Sequence, residues 1–199
     1  MKQPRSANWA SAFLTREPAE QVRFFYDCEF IEDGTTIELV SIGVVDEQGR
    51  EFYAVSTEFD PTRAIDWVRR NVLDKLPPPA DPAWGPLERI RRDLLAFLTE
   101  PDEPIELWAW MSAYDHVALA QLWGDMRALP RVIPRFTHEL RQRWEDAGSP
   151  PLPAAPTDQH DALADARHNL ARWRVLGASS PPPSTPSLPG RPPSPQVAR

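Results

Sequence analysis

Two acidic residues stand inside an otherwise apolar segment, in the stretch RFFYDCEFI at positions 23–31. If this stretch is a strand, Asp27 and Glu29 point to the same face, because side chains alternate along a strand. Carboxylates on a buried strand are costly unless a partner neutralises them. A hard divalent cation, which prefers oxygen ligands, is one such partner. The simpler interpretation is an edge strand whose acidic end is in water, and the pair alone does not separate the two.

Three more residues that could do chemistry follow later in the chain. Asp115 comes after the apolar stretch IELWAW, and His160 and Asp165 form the pattern H-x-x-x-x-D. Each has an ordinary explanation: Asp115 as a first-turn helix acid, Asp165 as a solvated helix residue, and His160 as a surface histidine. Their joint occurrence, in this order, is what indicates a site.

The chemistry that would use all five residues is metal-assisted hydrolysis of a phosphodiester. Two divalent cations about 3.5–4 Å apart can hold a scissile phosphate, and such a site needs several carboxylates from different elements. A histidine titrates near neutral pH and can take a proton from the attacking water. We therefore predict that the four carboxylates converge and that His160 approaches them from a loop or first helical turn.

The elements that must position these residues follow from hydrophobic periodicity and turn signals. Strands are expected at 23–31, 36–46 and 50–57, joined by the turn sequences EDG and EQG, so that the chain opens with an antiparallel meander. A further strand is expected at 105–110. Helices are expected at about 65–73, 86–98, 115–124, 135–147 and 158–177.

This order of elements predicts an α/β fold: a mixed sheet formed by the three-strand meander and the alternating helices and strands that follow, with helices on both faces. We expect residues 1–21 to be a flexible N-terminal extension and 22–177 to be the folded domain. Residues 178–199 are rich in Pro and Ser and lack core-forming side chains, so they are expected to be a disordered tail.

Composition narrows the class of protein. The chain has 199 residues and a formal charge of -7, which argues against coating nucleic acid through a broad basic face. It does not exclude an enzyme that holds one strand end. A single cysteine, Cys28, excludes an internal disulfide, and no apolar run approaches the roughly 20 residues of a membrane span. A cytoplasmic protein is expected.

The three acidic motifs, D-x-E at 27–29, YD at 114–115 and H-x-x-x-x-D at 160–165, resemble those of the DEDDh 3'→5' exonucleases. The wider stretches FFYDCEFIEDGTTIELVSIGVV, IELWAWMSAYDHVAL and HDALADARHNL are similar to a subgroup of that family, the actinobacterial polyadenylate-specific exoribonuclease AS. The resemblance spans about residues 23–176. One departure is Met111, where the broad family pattern often has Asn.

The resemblance implies a ribonuclease H-like fold with a five-stranded sheet and two Mg²⁺ or Mn²⁺ ions. It also implies stepwise release of nucleoside 5'-monophosphates from single-stranded RNA 3' ends, with poly(A) as the expected substrate, by a homodimer. Carried over by position, four residues would be metal ligands and His160 would be the general base. The implied ligands are Asp27, Glu29, Asp115 and Asp165.

Substrate contacts are also expected from the resemblance, since residues that open the second strand surround the terminal nucleotide in this fold. These residues are Thr35, Ile37, Glu38 and Leu39. Tyr114, which directly precedes Asp115, is a further candidate. The alternative for Ile37 and Leu39 is a place in the core, and for Glu38 a solvated position. Trp108 and Trp110 could stack on bases, but a buried strand favours a core position.

Two other functions stay open from the residues. A 3'→5' DNA exonuclease of the proofreading type would use the same motifs, because recognition of a 2'-hydroxyl needs only one suitable acceptor. A non-catalytic RNA-binding module on the same fold is the second. The presence of all five motif residues argues against a non-catalytic module.

Overall fold

The computed structural model describes residues 21–178. The predicted N-terminal extension, apart from its last residue, and nearly all of the predicted tail lie outside the described residues. Within the described part, no helix is long and apolar enough to cross a membrane.

A six-stranded mixed sheet forms the centre of the fold. Its strands are β1 (Val22–Glu32), β2 (Ile37–Asp46), β3 (Glu51–Ser56), β4 (Trp84–Gly85), β5 (Ile105–Ala109) and β6 (His138–Glu139), in the order β4-β3-β2-β1-β5-β6. The first three strands pair antiparallel, which confirms the predicted meander, whereas β5 pairs parallel with β1. The sheet has six strands among the described residues, whereas the sequence pattern predicted four and the resemblance implied five. The pattern missed β4 and β6 because two-residue strands carry no periodicity.

Five helices pack against the two faces: α1 (Asp66–Asn71), α2 (Leu87–Thr99), α3 (Ala113–Gln121), α4 (Leu140–Asp146) and α5 (Ala162–Ala178). Successive residues of β1 pack into hydrophobic clusters on opposite faces of the sheet. Phe24 belongs to a cluster with residues of α2 and α3, whereas Phe25 belongs to a cluster with residues of α4 and α5. The predicted mixed sheet with helices on both faces is confirmed.

Two helices begin later than predicted. The helix expected from 135 begins at Leu140, because His138 and Glu139 instead pair with β5 as strand β6. The helix expected from 158 begins at Ala162, because His160 takes a left-handed backbone conformation with φ of +65°. The helix expected over 65–73 ends at Asn71, and a 3-10 turn follows at Leu73–Lys75.

Candidate active site

Strand β1 delivers Asp27 and Glu29 to one side of the sheet, the side that α5 covers. Glu29 is buried, with 9% of its surface exposed, and Asp27 is half-buried. The strand is irregular directly afterwards, since the pairing with β2 shifts register between Glu29 and Phe30. Both carboxylates line a cavity of about 590 Å³, which we call the acidic cavity.

Asp115 reaches the same cavity from the first turn of α3. The last residue pair between β1 and β5 is Phe25 with Trp108, so β5 does not pair with the backbone amide of Cys28. The Asp115 carboxylate accepts a hydrogen bond from that amide at 2.8 Å, which ties α3 to β1. The loop between β5 and α3 is held by Glu139. Its carboxylate accepts hydrogen bonds from the backbone amides of Met111 and Ser112, both at 2.8 Å.

His160 and Asp165 come from the start of α5. The backbone amide of His160 donates to the Asp165 carboxylate at 2.7 Å, so the loop folds back onto the helix it precedes. The His160 ring meets the Trp67 ring edge to face, with centroids 4.8 Å apart. Lys75 also donates a hydrogen bond to the Gln159 carbonyl. The segment around α1 therefore holds the histidine loop in place.

All five predicted residues line the acidic cavity. Potential ligand atoms of Glu29, His160 and Asp165 lie within 4.8 Å of one another. Apolar side chains form the walls of the cavity beside these groups. Ile65 and Trp67 come from the segment around α1, and Trp110 follows strand β5. The convergence expected from the three separated motifs is therefore present in the fold.

The acidic residues of the cavity repel one another. Burial raises the pKa of Glu29 to about 8, and the charges of Asp165 and Asp115 contribute. Burial also raises the pKa of Asp115 to about 7, with Glu139 contributing. Burial also raises the pKa values of Asp27 and Asp165, and the positive charge of Arg172 opposes both shifts. The carboxylates are therefore short of positive charge, which is the electrostatic condition of a cation site.

The cost of ionising these buried carboxylates predicts that the metal-free protein loses stability as the pH rises from 7 to 9. Because the pKa values of Glu29 and Asp115 are raised to about 8 and 7, the folded state binds more protons than the unfolded state in that range. The loss should be on the order of 1–3 kcal/mol, since one pKa unit corresponds to about 1.4 kcal/mol. Urea unfolding in EDTA at each pH measures it.

The experiment is confined to pH values above 7 because two histidines change the stability below that pH. Burial lowers the pKa values of His116 and His168, so these histidines stabilise the fold as the pH rises toward 7 and act in the opposite direction. The control is the double variant Glu29→Gln and Asp115→Asn, which should show a much smaller decline. Constant or rising stability of the wild type above pH 7 would contradict the prediction.

Gly43 was not singled out from the sequence, yet it decides how closely α5 approaches the sheet. It lies on β2, where it pairs with Asp27 of β1. A Cβ atom at this position would lie 2.3 Å from the Ala162 carbonyl oxygen and 2.4 Å from the Leu163 Cα. Only glycine permits this backbone contact, which places the first turn of α5, and with it Asp165, beside β1.

We therefore expect Gly43→Ala to shift the start of α5 and to destabilise the protein by about 1–3 kcal/mol, the usual cost of overpacking. Activity should fall by more than this loss explains at temperatures where the variant is folded, because Asp165 and His160 move with the helix. Gly177→Ala is the matched control, since a Cβ there meets no atom of the described residues within 4 Å, apart from the neighbouring backbone of its own helix. Equal losses of stability and activity in Gly43→Ala and Gly177→Ala would contradict the prediction.

The substrate-contact candidates separate into two places. Tyr114 lines the acidic cavity, is 52% exposed and stacks on Phe30 with ring centroids 5.8 Å apart. Ile37, Glu38 and Leu39 instead line a separate cavity of about 390 Å³, and Thr35 lines neither.

The antiparallel register explains that separation. It places Ile37, Glu38 and Leu39 opposite Glu32, Ile31 and Phe30, beyond the acidic pair. Leu39 is buried in the core, as the alternative interpretation held, and Glu38 lies 3.4 Å from Arg63. The structure therefore does not bring these residues to the carboxylates.

Several residues of the cavity were missed in the sequence. Trp67 and His168 line it, and Arg172 lies seven residues after Asp165 on α5. A spacing of seven residues is two helical turns, so a search along the face of Asp165 could have found Arg172. No sequence signal pointed to Trp67, because its place depends on how α1 packs.

A mixed α/β sheet that delivers buried carboxylates from several elements to one open cavity is typical of enzymes that use divalent cations. The chain belongs to the family of the 3'-5' exoribonuclease Rv2179c-like domain, whose family model matches residues 22–176. The predicted enzyme class, 3'→5' exoribonuclease, is confirmed at this level. The narrower assignments to the DEDDh motif class and to a polyadenylate-specific member stay predictions.

Two curated relatives from strains of Mycobacterium tuberculosis are each 64% identical to the chain over 156 residues. They are the 3'-5' exoribonucleases Rv2179c and MT2234.1, and each alignment covers 78% of this chain and 93% of the relative. Among solved structures, S. pombe Pop2p in its Mg²⁺ and Mn²⁺ bound form aligns with 78% of this chain and 82% of its own, at 11% identity and a TM-score of 0.47.

Proposed function

We propose that the protein is a metal-dependent 3'-5' exoribonuclease that releases nucleoside 5'-monophosphates from RNA 3' ends, with His160 as the general base. The observation that carries the proposal is the convergence of Asp27, Glu29, Asp115, Asp165 and His160 on one cavity, in a chain of this exoribonuclease family.

The side chains of the cavity suit divalent cations. Asp27, Glu29, Asp115 and Asp165 offer carboxylate oxygens, which are the ligands that Mg²⁺ and Mn²⁺ prefer. Burial raises the pKa values of all four, and repulsion from neighbouring carboxylates adds to the shifts of Asp27 and Glu29, so a bound cation would relieve an unfavourable charge density. We assign two ions to these four carboxylates. When bound, such ions supply activation of water and stabilisation of the leaving oxygen.

His160 is positioned to take the proton of the attacking water. Its backbone is tied to Asp165, its ring rests against Trp67, and its side chain lines the cavity beside Glu29. An imidazole nitrogen can accept a proton from water, which is the chemistry that a general base supplies. The same position would allow His160 to bind a cation directly, and the variant His160→Asn separates the two roles.

The apolar walls of the cavity supply contacts for bases. Tyr114 is exposed and backed by Phe30, and Trp67 is 49% exposed, so both offer ring surface beside the carboxylates. Aromatic side chains that stack on bases are a common way to hold single strands. We therefore propose single-stranded RNA as the substrate.

Two further proposals rest on the family resemblance of the sequence alone. They are a preference for adenylate-rich 3' ends and a homodimeric assembly. Competition between RNA oligomers with A, U, C and G tails tests the first, and sedimentation equilibrium of the purified protein tests the second.

The experiment that tests the function is digestion of 3'-tailed RNA oligomers and matched DNA, with Mg²⁺, with Mn²⁺ or with EDTA. Stepwise shortening of RNA, monophosphate products and loss of activity in EDTA and in Asp27→Ala are expected. Equal shortening of DNA would favour the proofreading type of activity. No metal-dependent shortening of either polymer by well-folded protein would leave a binding module.

A further inference from the structure

One guanidinium group faces the carboxylates of the acidic cavity. Arg172 is the only Lys or Arg among the described residues that line this cavity. It lies on α5 seven residues after Asp165, which places it about 10.5 Å further along the same helix face. Arg172 lowers the pKa values of both Asp27 and Asp165, so its charge reaches two of the proposed ligands.

Two neighbours hold the Arg172 side chain in a fixed orientation. Its guanidinium carbon lies 4.2 Å from the centroid of the Trp110 ring, which is a close cation–π contact. Its Nη1 donates to the Asn169 carboxamide oxygen at 2.9 Å, and the Asn169 nitrogen donates to the Tyr26 carbonyl at 3.0 Å. This chain of contacts connects the guanidinium to the residue of β1 that precedes Asp27.

The fixed guanidinium still has hydrogen-bonding capacity. Among the described residues, the Arg172 Nε is buried and has no hydrogen-bond partner. The Nη2 nitrogen has no hydrogen-bond partner among the described residues either and is not among the buried unpaired atoms, so it can donate to acceptor oxygens of a ligand in the cavity. Phosphate oxygens match the planar fork of a guanidinium, and two parallel hydrogen bonds can form.

The charge balance of the cavity points to the same ligand. Four carboxylates are neutralised by two divalent cations, so a phosphodiester that enters afterwards adds a negative charge without a partner. Among the described residues of the cavity wall, Arg172 carries the one formal positive charge that can face it. Surplus positive charge beside a bound phosphate is a common means of stabilising the charge that develops during its transfer.

We propose that Arg172 contacts the 5'-phosphate of the terminal nucleotide, an inference that rests on the exoribonuclease function proposed above. Arg172 is then a substrate-binding residue with a defined partner, and Trp110 and Asn169 are the residues that orient it. A purely structural Arg172 would neutralise the carboxylates instead. That role would alter cation affinity and leave the discrimination between a nucleotide and its nucleoside unchanged.

The test compares binding of 5'-AMP and of adenosine, in the presence of Mg²⁺, by isothermal titration calorimetry. Arg172→Gln should weaken AMP binding roughly 10–100-fold, the effect of losing a charge-assisted hydrogen bond, and change adenosine binding less than about two-fold. KM for RNA should rise with it. Arg174→Gln is the matched control, because Arg174 lies on the same helix but outside the cavity and donates to the Glu47 carbonyl.

Arg172→Lys keeps the charge and removes the fork, so an intermediate loss of AMP affinity is expected. It also decides the question if Arg172→Gln does not fold. Unchanged AMP affinity in the folded variants, or equal weakening of AMP and adenosine, would overturn the inference. A change confined to Mg²⁺ affinity would overturn it too. A wild type that neither shortens RNA nor binds AMP would instead refute the proposed function, and this inference with it.

Discussion

Asp115→Asn is expected to lower the exoribonuclease rate by roughly 10³-fold or more, about 4 kcal/mol in the barrier, without loss of stability. The rate falls because the amide removes one of the four carboxylates proposed to hold the cations. The fold survives because the Asn carboxamide oxygen can still accept the Cys28 amide hydrogen bond that Asp115 accepts at 2.8 Å.

At pH 8 in EDTA, Asp115→Asn should be more stable to unfolding than the wild type. Burial raises the pKa of Asp115 to about 7, so the ionised side chain at pH 8 is disfavoured in the folded state relative to the unfolded state. Asn is neutral and avoids that cost. A variant that is more stable and nearly inactive is typical of a residue kept for function, because such sites trade stability for activity.

Initial rates on a 3'-tailed RNA with saturating Mg²⁺, together with thermal unfolding in EDTA, measure both effects. Asp161→Asn is the matched control: Asp161 lies outside the acidic cavity and accepts the Ala164 amide, a bond that Asn keeps. Its rate should stay within a few-fold of the wild type. If Asp115→Asn retains more than a tenth of the activity, Asp115 is not a ligand.

The parts of the fold that the sequence predicted are those set by local patterns. Alternation in RFFYDCEFI and the two turn sequences that contain Gly34 and Gly49 predicted the meander, because hydrogen bonding and face selection within a hairpin are short-range. The start of α4 could not be read in this way. His138 and Glu139 pair with β5, a partner about thirty residues earlier, and this tertiary contact overrides the local helical pattern.

The same distinction applies to the site. Asp27, Glu29, Asp115, Asp165 and His160 were predicted because their spacing within short motifs carries chemical meaning, and the fold brings all five to one cavity. Gly43, Glu139 and Trp67 support them from other elements, and nothing local marks these residues. The candidates at 37–39 failed to reach the cavity for a long-range reason as well, since their position depends on the register of β2 against β1.

His160→Asn tests the proposed base, and we expect kcat to fall roughly 10²–10⁴-fold while Mn²⁺ affinity stays within a few-fold of the wild type. Asn keeps the backbone amide that donates to Asp165 at 2.7 Å and, like His, tolerates the left-handed conformation at φ +65°. The loop is therefore retained and only the imidazole is removed.

Mn²⁺ binding by calorimetry and single-turnover rates over pH 5–9 measure the two roles separately. If His160 is the base, the wild-type rate should fall at acid pH as the imidazole becomes protonated. This fall should be absent from the residual rate of His160→Asn. His138→Asn is the control, because His138 stacks on Trp108 outside the acidic cavity. Weaker Mn²⁺ binding together with activity restored by excess Mn²⁺ would instead identify His160 as a ligand, since a nitrogen of its ring lies within 4.8 Å of carboxylate oxygens of Glu29 and Asp165.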